Sequence, residues 1–448
     1  MNDGLPRLRP YQLAPARAII DSVRNQRGLT FTVEMSRQAG KNETSAQLEA
    51  SLLVTLPSAI NIKAAPTADP QVRISIRRLR DILRAARVPH HLSDNVMHVG
   101  ASQQLFLSGE PTSNVVGHTA THLLEVDEAQ DFDIEKYDKD FRPMAAANNA
   151  TTVLYGTAWS EIDLLHRERQ AALNAERTDG VRRAFVIPWP DVAAHNPAYG
   201  RYVSAERIRL GEGNPAFFTQ YELRPIPSKG RLFDANQLEQ LHGDFPRRTT
   251  RPPASSIVAG LDIAGGDDGD PTRHDRTVLT LAAVSPPSPA DPLPANHAAV
   301  LHVISWQGTP HDQLLAQLLD LITIWRPSVL AVDATGLGET TARILASRNQ
   351  RTTVIPLKFT RPAKSSLGFA LITAASTGRL KIYADDLALD TATLWHELRL
   401  ARADSLPGGV INFYVDPADG HDDYLISLAL LQHAVDQAQP RIARGRTP

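Results

Sequence analysis

The stretch Ser36-Arg37-Gln38-Ala39-Gly40-Lys41-Asn42-Glu43 decides how the rest of the chain is interpreted. It lies between a β-like run at 29–33 and a helix-like run at 44–54. A Gly-Lys pair at such a junction is typical of phosphate-binding loops, in which backbone N–H groups face the anion and the lysine reaches the terminal phosphates. Met35 replaces the first glycine of the usual P-loop pattern, and Asn42 replaces its final hydroxyl residue. Because a Gly-Lys pair in an ordinary turn gives the same match, the assignment depends on motifs downstream.

The composition is that of an ordinary globular chain. Its 448 residues suit two or three domains, with 42% hydrophobic and 21% charged residues. The net charge of −2 means that contact with DNA must come from local basic patches. The chain contains no cysteine, which excludes disulfides and thiolate metal sites. No apolar run approaches the roughly 18 residues of a membrane span, so we expect no membrane association and no secretion.

A second motif is the apolar run at 121–128, which ends in Asp127-Glu128. This pattern indicates a buried parallel strand that delivers two carboxylates to the carboxyl edge of a sheet. In P-loop ATPases the aspartate at this place holds Mg²⁺, and the glutamate polarises the attacking water. An isolated Asp-Glu pair also occurs where a strand meets solvent. When an Asp-Glu pair follows a Gly-Lys pair in the same chain, however, the two motifs together favour an α/β ATPase domain.

Three further features accompany this domain. The run 151–160 predicts a strand that ends at Gly156-Thr157, where nucleotide motors sense the γ-phosphate; a strand followed by a helix cap is the alternative. Arg142 is a candidate arginine finger, acting within its own subunit or on a neighbour, or an ordinary surface residue. Tyr11 and Gln12, predicted to lie just before a helix at 14–24, either clasp an adenine or form a capping turn against the first strand.

The most basic stretch is a predicted helix at 71–87, in which six arginines accompany Asp81 alone among acidic residues. A solvated helix face is one interpretation of it. Contact with a phosphate backbone or with an acidic neighbouring subunit is the other.

Composition also indicates where domains divide. Residues 245–253 form a linker rich in proline and arginine, and residues 181–246 mix short strands, turns and one helix-like run at 234–241. We therefore predict an ATPase core at 1–180, a connecting subdomain and linker at 181–253, and a second domain at 254–448.

The second domain presents acidic residues in a characteristic order. Asp262 lies on a predicted strand at 257–264, Asp333 ends another at 329–336, and Asp422 and Asp423 open a late helix. Two strands at 277–282 and 300–306 come between them. This order is typical of a ribonuclease-H-like fold, whose carboxylates converge on two divalent ions about 4 Å apart. Oxygen ligands without a His or Cys cluster indicate Mg²⁺ or Mn²⁺.

Together, the loop Arg-Gln-Ala-Gly-Lys-Asn-Glu, the strand ending Val-Asp-Glu-Ala-Gln, the Tyr-Gly-Thr-Ala-Trp turn and the acidic second domain resemble the large terminase subunit of tailed bacteriophages. The resemblance covers nearly the whole chain. It implies that residues 37–43 bind ATP with Asp127, that Lys41 contacts the β- and γ-phosphates and that Arg37 senses phosphate. It also implies that Glu128 is the catalytic carboxylate and that Gly156-Thr157 is the coupling motif. Asn42 is a variant that this family tolerates.

For the second domain, the resemblance implies that Asp262, Asp333 and one of Asp422 or Asp423 bind the metal ions of a nuclease. Asp275 falls where the family often has a further acidic residue. Lys364 matches a lysine that is often present in the family.

The function implied is ATP-driven translocation of double-stranded DNA into a procapsid, with cutting of concatemeric DNA at the start and end of packaging. ATP and Mg²⁺, or Mn²⁺ in the nuclease, would be cofactors. A homo-oligomeric ring, expected to be a pentamer, would act on the portal protein with a small terminase subunit. It would work in the host cytoplasm and be absent from the mature virion. The alternatives are a DNA-repair translocase-nuclease and a nucleotide-gated scaffold without turnover.

Overall fold

The computed structural model describes residues 8–211, 213–227, 229–253, 255–264, 276–287, 295–406 and 409–438. Asp275 and most of the proline-rich loop at 285–297 lie outside these ranges. The chain divides into two compact units. The first contains the described residues up to 205 together with 216–227, and the second contains 206–215 and nearly all residues from 229 onward. Within the described ranges, no helix combines the length and the apolar character needed to cross a bilayer.

The described residues up to 222 contain both strands and helices, as an α/β domain requires. The strands are β1 (Thr30–Met35), β2 (Ile60–Ala65), β3 (His91–Ser93), β4 (Val96–Val99), β5 (Ser102–Ser108), β6 (Leu123–Val126), β7 (Thr151–Gly156) and β8 (Ala184–Ile187). The helices are α1 (Pro10–Arg24), α2 (Lys41–Thr55), α3 (Arg73–Ala85), α4 (Ile134–Lys136), α5 (Leu164–Asp179), α6 (Trp189–Ala193), α7 (Pro197–Leu210) and α8 (Pro215–Phe217).

Eight strands of the first unit form one sheet in the order β3-β4-β5-β2-β6-β7-β1-β8. Every pairing from β5 across to β8 is parallel, whereas β4 pairs antiparallel with both β5 and β3 at one end of the sheet. β7 lies between β1, which leads into the P-loop, and β6, which carries the Asp-Glu pair. Carboxyl ends of parallel strands meet at one edge, so this order brings the three motifs together. The predicted P-loop ATPase fold is confirmed.

The second half supplies a different set of elements. Its strands are β9 (Lys229–Arg231), β10 (Ser256–Asp262), β11 (Thr277–Ser285), β12 (His297–Trp306), β13 (Val329–Asp333), β14 (Thr353–Leu357), β15 (Leu380–Ile382), β16 (Arg402–Leu406) and β17 (Val410–Tyr414). Its helices are α9 (Ala235–Leu241), α10 (His311–Trp325), α11 (Leu337–Arg348), α12 (Arg361–Ser376), α13 (Leu389–Leu400) and α14 (Asp423–Gln437).

Six of these strands form a mixed sheet in the order β14-β13-β10-β11-β12-β15. β11 is antiparallel to both β10 and β12, whereas β13 and β14 are parallel to β10. The ribonuclease-H-like fold class that the sequence predicts is confirmed. A separate sheet of β17, β16 and β9 is not predicted by the sequence.

The late helix α14 packs against the centre of this sheet. A Cβ at Gly260, on β10, would lie 2.2 Å from Leu431 N and 2.3 Å from Ser427 O, so only glycine allows the helix to approach this closely. Ser427 Oγ donates a hydrogen bond to Gly260 O at 3.0 Å. This packing holds the first turn of α14 beside the end of β10.

Two predictions of local structure are wrong. α1 begins at Pro10, not after Gln12, because proline at the first helical position loses no hydrogen bond. The region predicted as short strands and turns contains the 14-residue helix α7. Only Tyr199 and Val203 of this helix are buried, so it lacks the repeated apolar positions that predict a helix.

Candidate active sites

The carboxyl edge of the first sheet surrounds a cavity of about 610 Å³. Three predicted motifs contribute to its wall, because β1, β6 and β7 end side by side. The lining residues are Met35, Ser36, Arg37, Gln38, Gly40, Lys41, Asn42, Glu43, Arg78, Glu128, Gln130, Thr157 and Gln220.

The predicted phosphate-binding lysine contacts both predicted carboxylates. Lys41 Nζ lies 2.7 Å from Glu128 Oε1 and 3.6 Å from Asp127 Oδ1. The Lys41 side chain is 11% exposed, and Asp127 is buried. Such a partly desolvated cation and carboxylate interact more strongly than a surface pair. An anionic ligand that binds Lys41 therefore competes with Glu128.

Asn42 occupies the P-loop position where a hydroxyl usually approaches Mg²⁺. Its Oδ1 is buried, and none of the described residues donates a hydrogen bond to it. A buried acceptor without a donor is costly unless a cation or water satisfies it. Together with the Asp127 carboxylate, this oxygen fits the hard-ligand preference of Mg²⁺.

Two residues of the cavity wall have left-handed backbone conformations although neither is glycine. Gln38 has φ +61° and Glu128 has φ +47°. Such conformations are uncommon for L-residues and concentrate at functional sites. The turn at Glu128 directs its carboxylate back toward the P-loop.

Gln130 connects the Asp-Glu motif to the predicted coupling motif. Its Nε2 donates to Glu128 Oε2 at 2.8 Å, and its Oε1 accepts from Thr157 N at 3.2 Å. A Cβ at Gly156 would lie 2.2 Å from Gln130 Oε1 and 2.5 Å from Leu165 Cδ2. Glycine at this position therefore permits the glutamine to reach the next backbone N–H.

The other candidate residues of this domain lie outside the cavity wall. Tyr11 OH donates to Ala39 O at 2.9 Å, and Gln12 Nε2 donates to Gly40 O at 3.0 Å. Both side chains thus support the P-loop backbone from behind. Arg142 lies 3.8 Å from Asp138 and is largely exposed. In its own subunit it does not line this cavity, and a role on a neighbouring subunit stays a prediction.

Some residues of the site have no recognisable motif. Gln220 Oε1 accepts from Arg37 Nη1 at 2.5 Å, and Tyr199 OH donates to Arg37 O at 2.8 Å. Ser36 Oγ lies 2.5 Å from the same tyrosine hydroxyl. Gln220 and Tyr199 are far from the P-loop in sequence, so only the fold brings them to it. Gln130 stands in the Asp-Glu-Ala-Gln run, where its position two residues after Glu128 is a usable signal.

A buried polar network joins α2 to the central strands beneath the P-loop. Lys63 Nζ donates to Ser45 Oγ at 2.7 Å and to Glu49 Oε1 at 3.0 Å, and Ser45 Oγ donates to Glu125 Oε1 at 2.9 Å. Burial, and then the nearby Glu49 carboxylate, raises the pKa of Glu125 well above its usual value. Burial lowers the pKa of Lys63, but Glu49 and Glu125 outweigh it and the net shift is upward. The network fixes the helix that begins with Lys41 against the strand that directly precedes Asp127.

In the second unit, four predicted metal ligands line one cavity of about 590 Å³: Asp262, Asp333, Asp422 and Asp423. Leu261 of β10 lies opposite Val332 of β13, which sets Asp262 and Asp333 at neighbouring strand ends. The first turn of α14 adds Asp422 and Asp423. Lys364 and Phe359 line the same cavity.

Three of these carboxylates, those of Asp262, Asp333 and Asp423, are buried. Burial raises the pKa of Asp333, while the Thr335 hydroxyl and backbone N–H and Lys364 oppose the shift. Asp423 is buried, and its Oδ2 accepts from Arg276 N at 2.8 Å. Carboxylate oxygens are the ligands that Mg²⁺ and Mn²⁺ prefer. Among the described residues, however, no three acidic or histidine side chains are arranged as a finished metal site. Asp275 lies outside the described residues.

Near this cavity lies Glu397, an acidic residue that the sequence analysis does not indicate. It lies on α13, is buried, and its Oε2 accepts from Tyr424 N and Leu425 N, each at 2.9 Å. Burial raises the pKa of Glu397 to about 8, and Asp423 adds to the shift. Glu397 thus caps α14 at the turn that presents Asp422 and Asp423.

We compared the chain with known proteins by sequence and by structure. The sequence matches no protein-family model and no curated protein. Among solved structures, the chain is similar to the large terminase of a thermophilic bacteriophage, with a TM-score of 0.56 at 12% identity, over 96% of this chain and 99% of that chain. The complexes of that protein with ADP and with ATP-γ-S give TM-scores of 0.55 at 12% identity and 0.51 at 14% identity, over the same shares.

At 12–14% identity, these structural matches show a shared fold. Over nearly its whole length, the chain has the fold of the bacteriophage large terminases, a P-loop domain of the ATPase type followed by a ribonuclease-H-like domain.

Proposed function

We propose that this protein is a large terminase subunit, which uses ATP hydrolysis to drive double-stranded DNA into a procapsid and cuts concatemeric DNA when packaging begins and ends. One observation carries the proposal. A single chain with the terminase fold presents a P-loop cavity that contains the Lys41–Glu128 pair and a second cavity lined by four aspartates. The terminase of the thermophilic bacteriophage, similar in fold, binds ADP and ATP-γ-S.

In the ATPase reaction, Lys41 would bind the β- and γ-phosphates and stabilise the charge that develops on them. Asp127 and Asn42 would hold Mg²⁺, which neutralises phosphate charge when bound. Phosphate bound to Lys41 would displace Glu128 from the ammonium group. Glu128 would then orient and polarise the attacking water.

Coupling to movement would pass through Gln130. This side chain contacts Glu128 Oε2 and the Thr157 backbone N–H at the end of β7. A change in the position of Glu128 during hydrolysis would change both hydrogen bonds. The coupling motif would respond through its backbone.

In the nuclease reaction, Asp262, Asp333 and Asp422 or Asp423 would hold Mg²⁺ or Mn²⁺. The metal ions would supply an activated water and stabilise the leaving 3′-oxygen. Glu397 would keep the first turn of α14 in place, and Asp333 would remain ionised once a cation balances its charge.

We further propose that the protein works as a homo-oligomeric ring, a pentamer, on the portal protein, with a small terminase subunit that recognises the DNA. It would act in the host cytoplasm and leave before the virion matures. A net charge of −2 supports a ring, because modest basic patches on several subunits can together hold one duplex.

Three assays of the purified full-length chain test this function. With Mg²⁺ present, we expect ATP hydrolysis that Lys41→Ala abolishes and DNA cleavage that Asp262→Ala abolishes. With procapsids of the same phage, we expect ATP-dependent protection of DNA from added nuclease. ATPase and cleavage without packaging would favour a repair enzyme, and nucleotide binding without hydrolysis would favour a scaffold.

A further inference from the structure

The nucleotide cavity contains three basic side chains, and each is paired with an acceptor from the same wall. Lys41 contacts Glu128 at 2.7 Å, and Arg37 Nη1 donates to Gln220 Oε1 at 2.5 Å. Arg78 Nη1 donates to Glu43 Oε2 at 3.0 Å. Lys41 and Arg37 belong to the P-loop, whereas Arg78 comes from α3 and has no place in the predicted ATP-binding set.

Arg78 belongs to the basic helix that the sequence predicts as either a solvated face or a contact for an anionic partner. Its guanidinium reaches the first turn of α2, where Glu43 also accepts a hydrogen bond from Gln47 Nε2 at 2.9 Å. Arg78 lines the nucleotide cavity, whereas the adjacent Arg77 does not. One arginine of the basic helix is therefore distinguished from its neighbour by its position at the phosphate-binding loop.

The pair with Glu43 does not hold Arg78 strongly. The Arg78 side chain is 42% exposed, and exposed pairs contribute little because water screens them. A guanidinium forms bidentate hydrogen bonds with phosphate oxygens, which are stronger than its single hydrogen bond to an exposed carboxylate. A polyphosphate on the P-loop carries several negative charges, so we expect it to compete successfully with the single Glu43 carboxylate for Arg78.

We infer that Arg78 is a third phosphate-binding residue of the nucleotide site, which exchanges Glu43 for the polyphosphate chain of a nucleoside triphosphate bound by the same subunit. This inference rests on the proposed ATPase function and adds a residue from outside the P-loop to it. Glu43 acts as the acceptor that the ligand displaces. Removing its charge frees Arg78, whereas removing Arg78 leaves Glu43 facing the ligand as a repulsive charge.

The test compares Arg78→Ala with Arg77→Ala, a matched control one residue away on the same helix. Equilibrium binding of ATP-γ-S to the full-length chain is measured by calorimetry with Mg²⁺ and without DNA. We expect Arg78→Ala to weaken binding about tenfold or more and Arg77→Ala to change it less than about twofold. Circular dichroism and thermal melting establish that both variants fold.

A double-mutant cycle identifies the exchange itself. Glu43→Gln should strengthen binding in the wild-type background and have no such effect in the Arg78→Ala background. Arg78→Lys should restore part of the affinity, since it retains the charge but not the forked geometry.

The outcomes are distinguishable. The role of Arg78 alone would be overturned if Arg78→Ala and Arg77→Ala bound ATP-γ-S with equal affinity. In that outcome the wild-type chain would still bind ATP-γ-S, and Lys41→Ala would abolish the binding. A wild-type chain that binds no ATP-γ-S would instead overturn the proposed ATPase.

Discussion

Lys41 Nζ and Glu128 Oε1 are 2.7 Å apart, so the lysine of the P-loop and the glutamate that follows β6 form an ion pair in the cavity at the carboxyl edge of the first sheet. In the proposed ATPase reaction, phosphate binding and activation of water would therefore be linked. A ligand that binds the Lys41 ammonium group would also release the Glu128 carboxylate.

Glu128→Gln should separate binding from hydrolysis. The neutral amide competes less well for Lys41, so affinity for ATP should be retained or increased. Turnover should fall by about a hundredfold or more, because the amide cannot polarise water. Lys41→Ala should lose both properties. Calorimetry and steady-state ATPase rates measure the two effects, and a Glu128→Gln chain that fails to bind ATP would contradict the ion-pair argument.

Gln130→Ala should lower the maximal ATPase rate about tenfold with little change in KM for ATP. The substitution removes the hydrogen bonds to Glu128 Oε2 and to Thr157 N but leaves the P-loop intact. Gln170→Ala, an exposed glutamine on α5, is the control. A rise in KM with an unchanged maximal rate would show that Gln130 acts in binding and not in positioning.

In the second domain, Asp262→Asn and Asp333→Asn should abolish DNA cleavage and leave ATP hydrolysis at the wild-type rate. Each removes from the cavity a carboxylate that is proposed to bind the metal ion. Asp320→Asn, an exposed aspartate on α10, serves as the control. Titration with Mn²⁺ should show weakened binding in the two site variants. Cleavage at the wild-type rate in either would remove that residue from the metal site.

Glu397→Ala should destabilise the protein by about 1–3 kcal/mol and impair cleavage, because two backbone N–H groups of α14 lose their acceptor. Both N–H groups donate to the same oxygen, so the single carbonyl oxygen of Glu397→Gln can replace it. We expect that variant to keep most of both properties. Thermal melting and a cleavage assay measure them, and equal damage in the two variants would show that the charge of Glu397 matters more than capping.

Glu34, on β1 directly before the P-loop, should make stability depend on pH. Burial raises the pKa of Glu34 from 4.5 to about 7, and Arg169 opposes the shift. Between these values the folded chain binds more protons than the unfolded chain, so this contribution is complete below about pH 4.5 and is lost as pH rises through about 7. At pH 8 the buried charge costs up to about 3 kcal/mol.

Glu34→Gln removes this titration. Its melting temperature relative to wild type should therefore rise between pH 5 and pH 8. Glu135→Gln, at an exposed position on α4, should show no such trend. A constant difference between Glu34→Gln and wild type across this range would show that Glu34 titrates normally.

The strands that lead to the candidate site residues were predictable because each is a largely apolar run that polar residues end or follow. The runs at 29–33, 121–126 and 329–333 are of this kind, and the structure places the strands β1 (Thr30–Met35), β6 (Leu123–Val126) and β13 (Val329–Asp333) there. The helix α7 was missed because one exposed face dominates its sequence. The periodic spacing of apolar residues that predicts a helix or a strand arises from the buried face of that element. An element with few buried residues therefore shows little periodicity in its sequence.

The sequence alone indicated the two α/β folds and the local motifs around Lys41, Asp127 and the aspartates, since strand–helix periodicity and motif spacing are local properties of the chain. Only the tertiary structure decided that Glu128 pairs with Lys41, that Gln130 reaches Thr157, that Arg78 reaches the P-loop and that Glu397 caps α14. These contacts join residues from different strands and helices, and parallel pairing and helix packing set their distances. A motif can mark a single residue, as the Asp-Glu-Ala-Gln run marks Gln130, but it does not give the partner that this residue contacts.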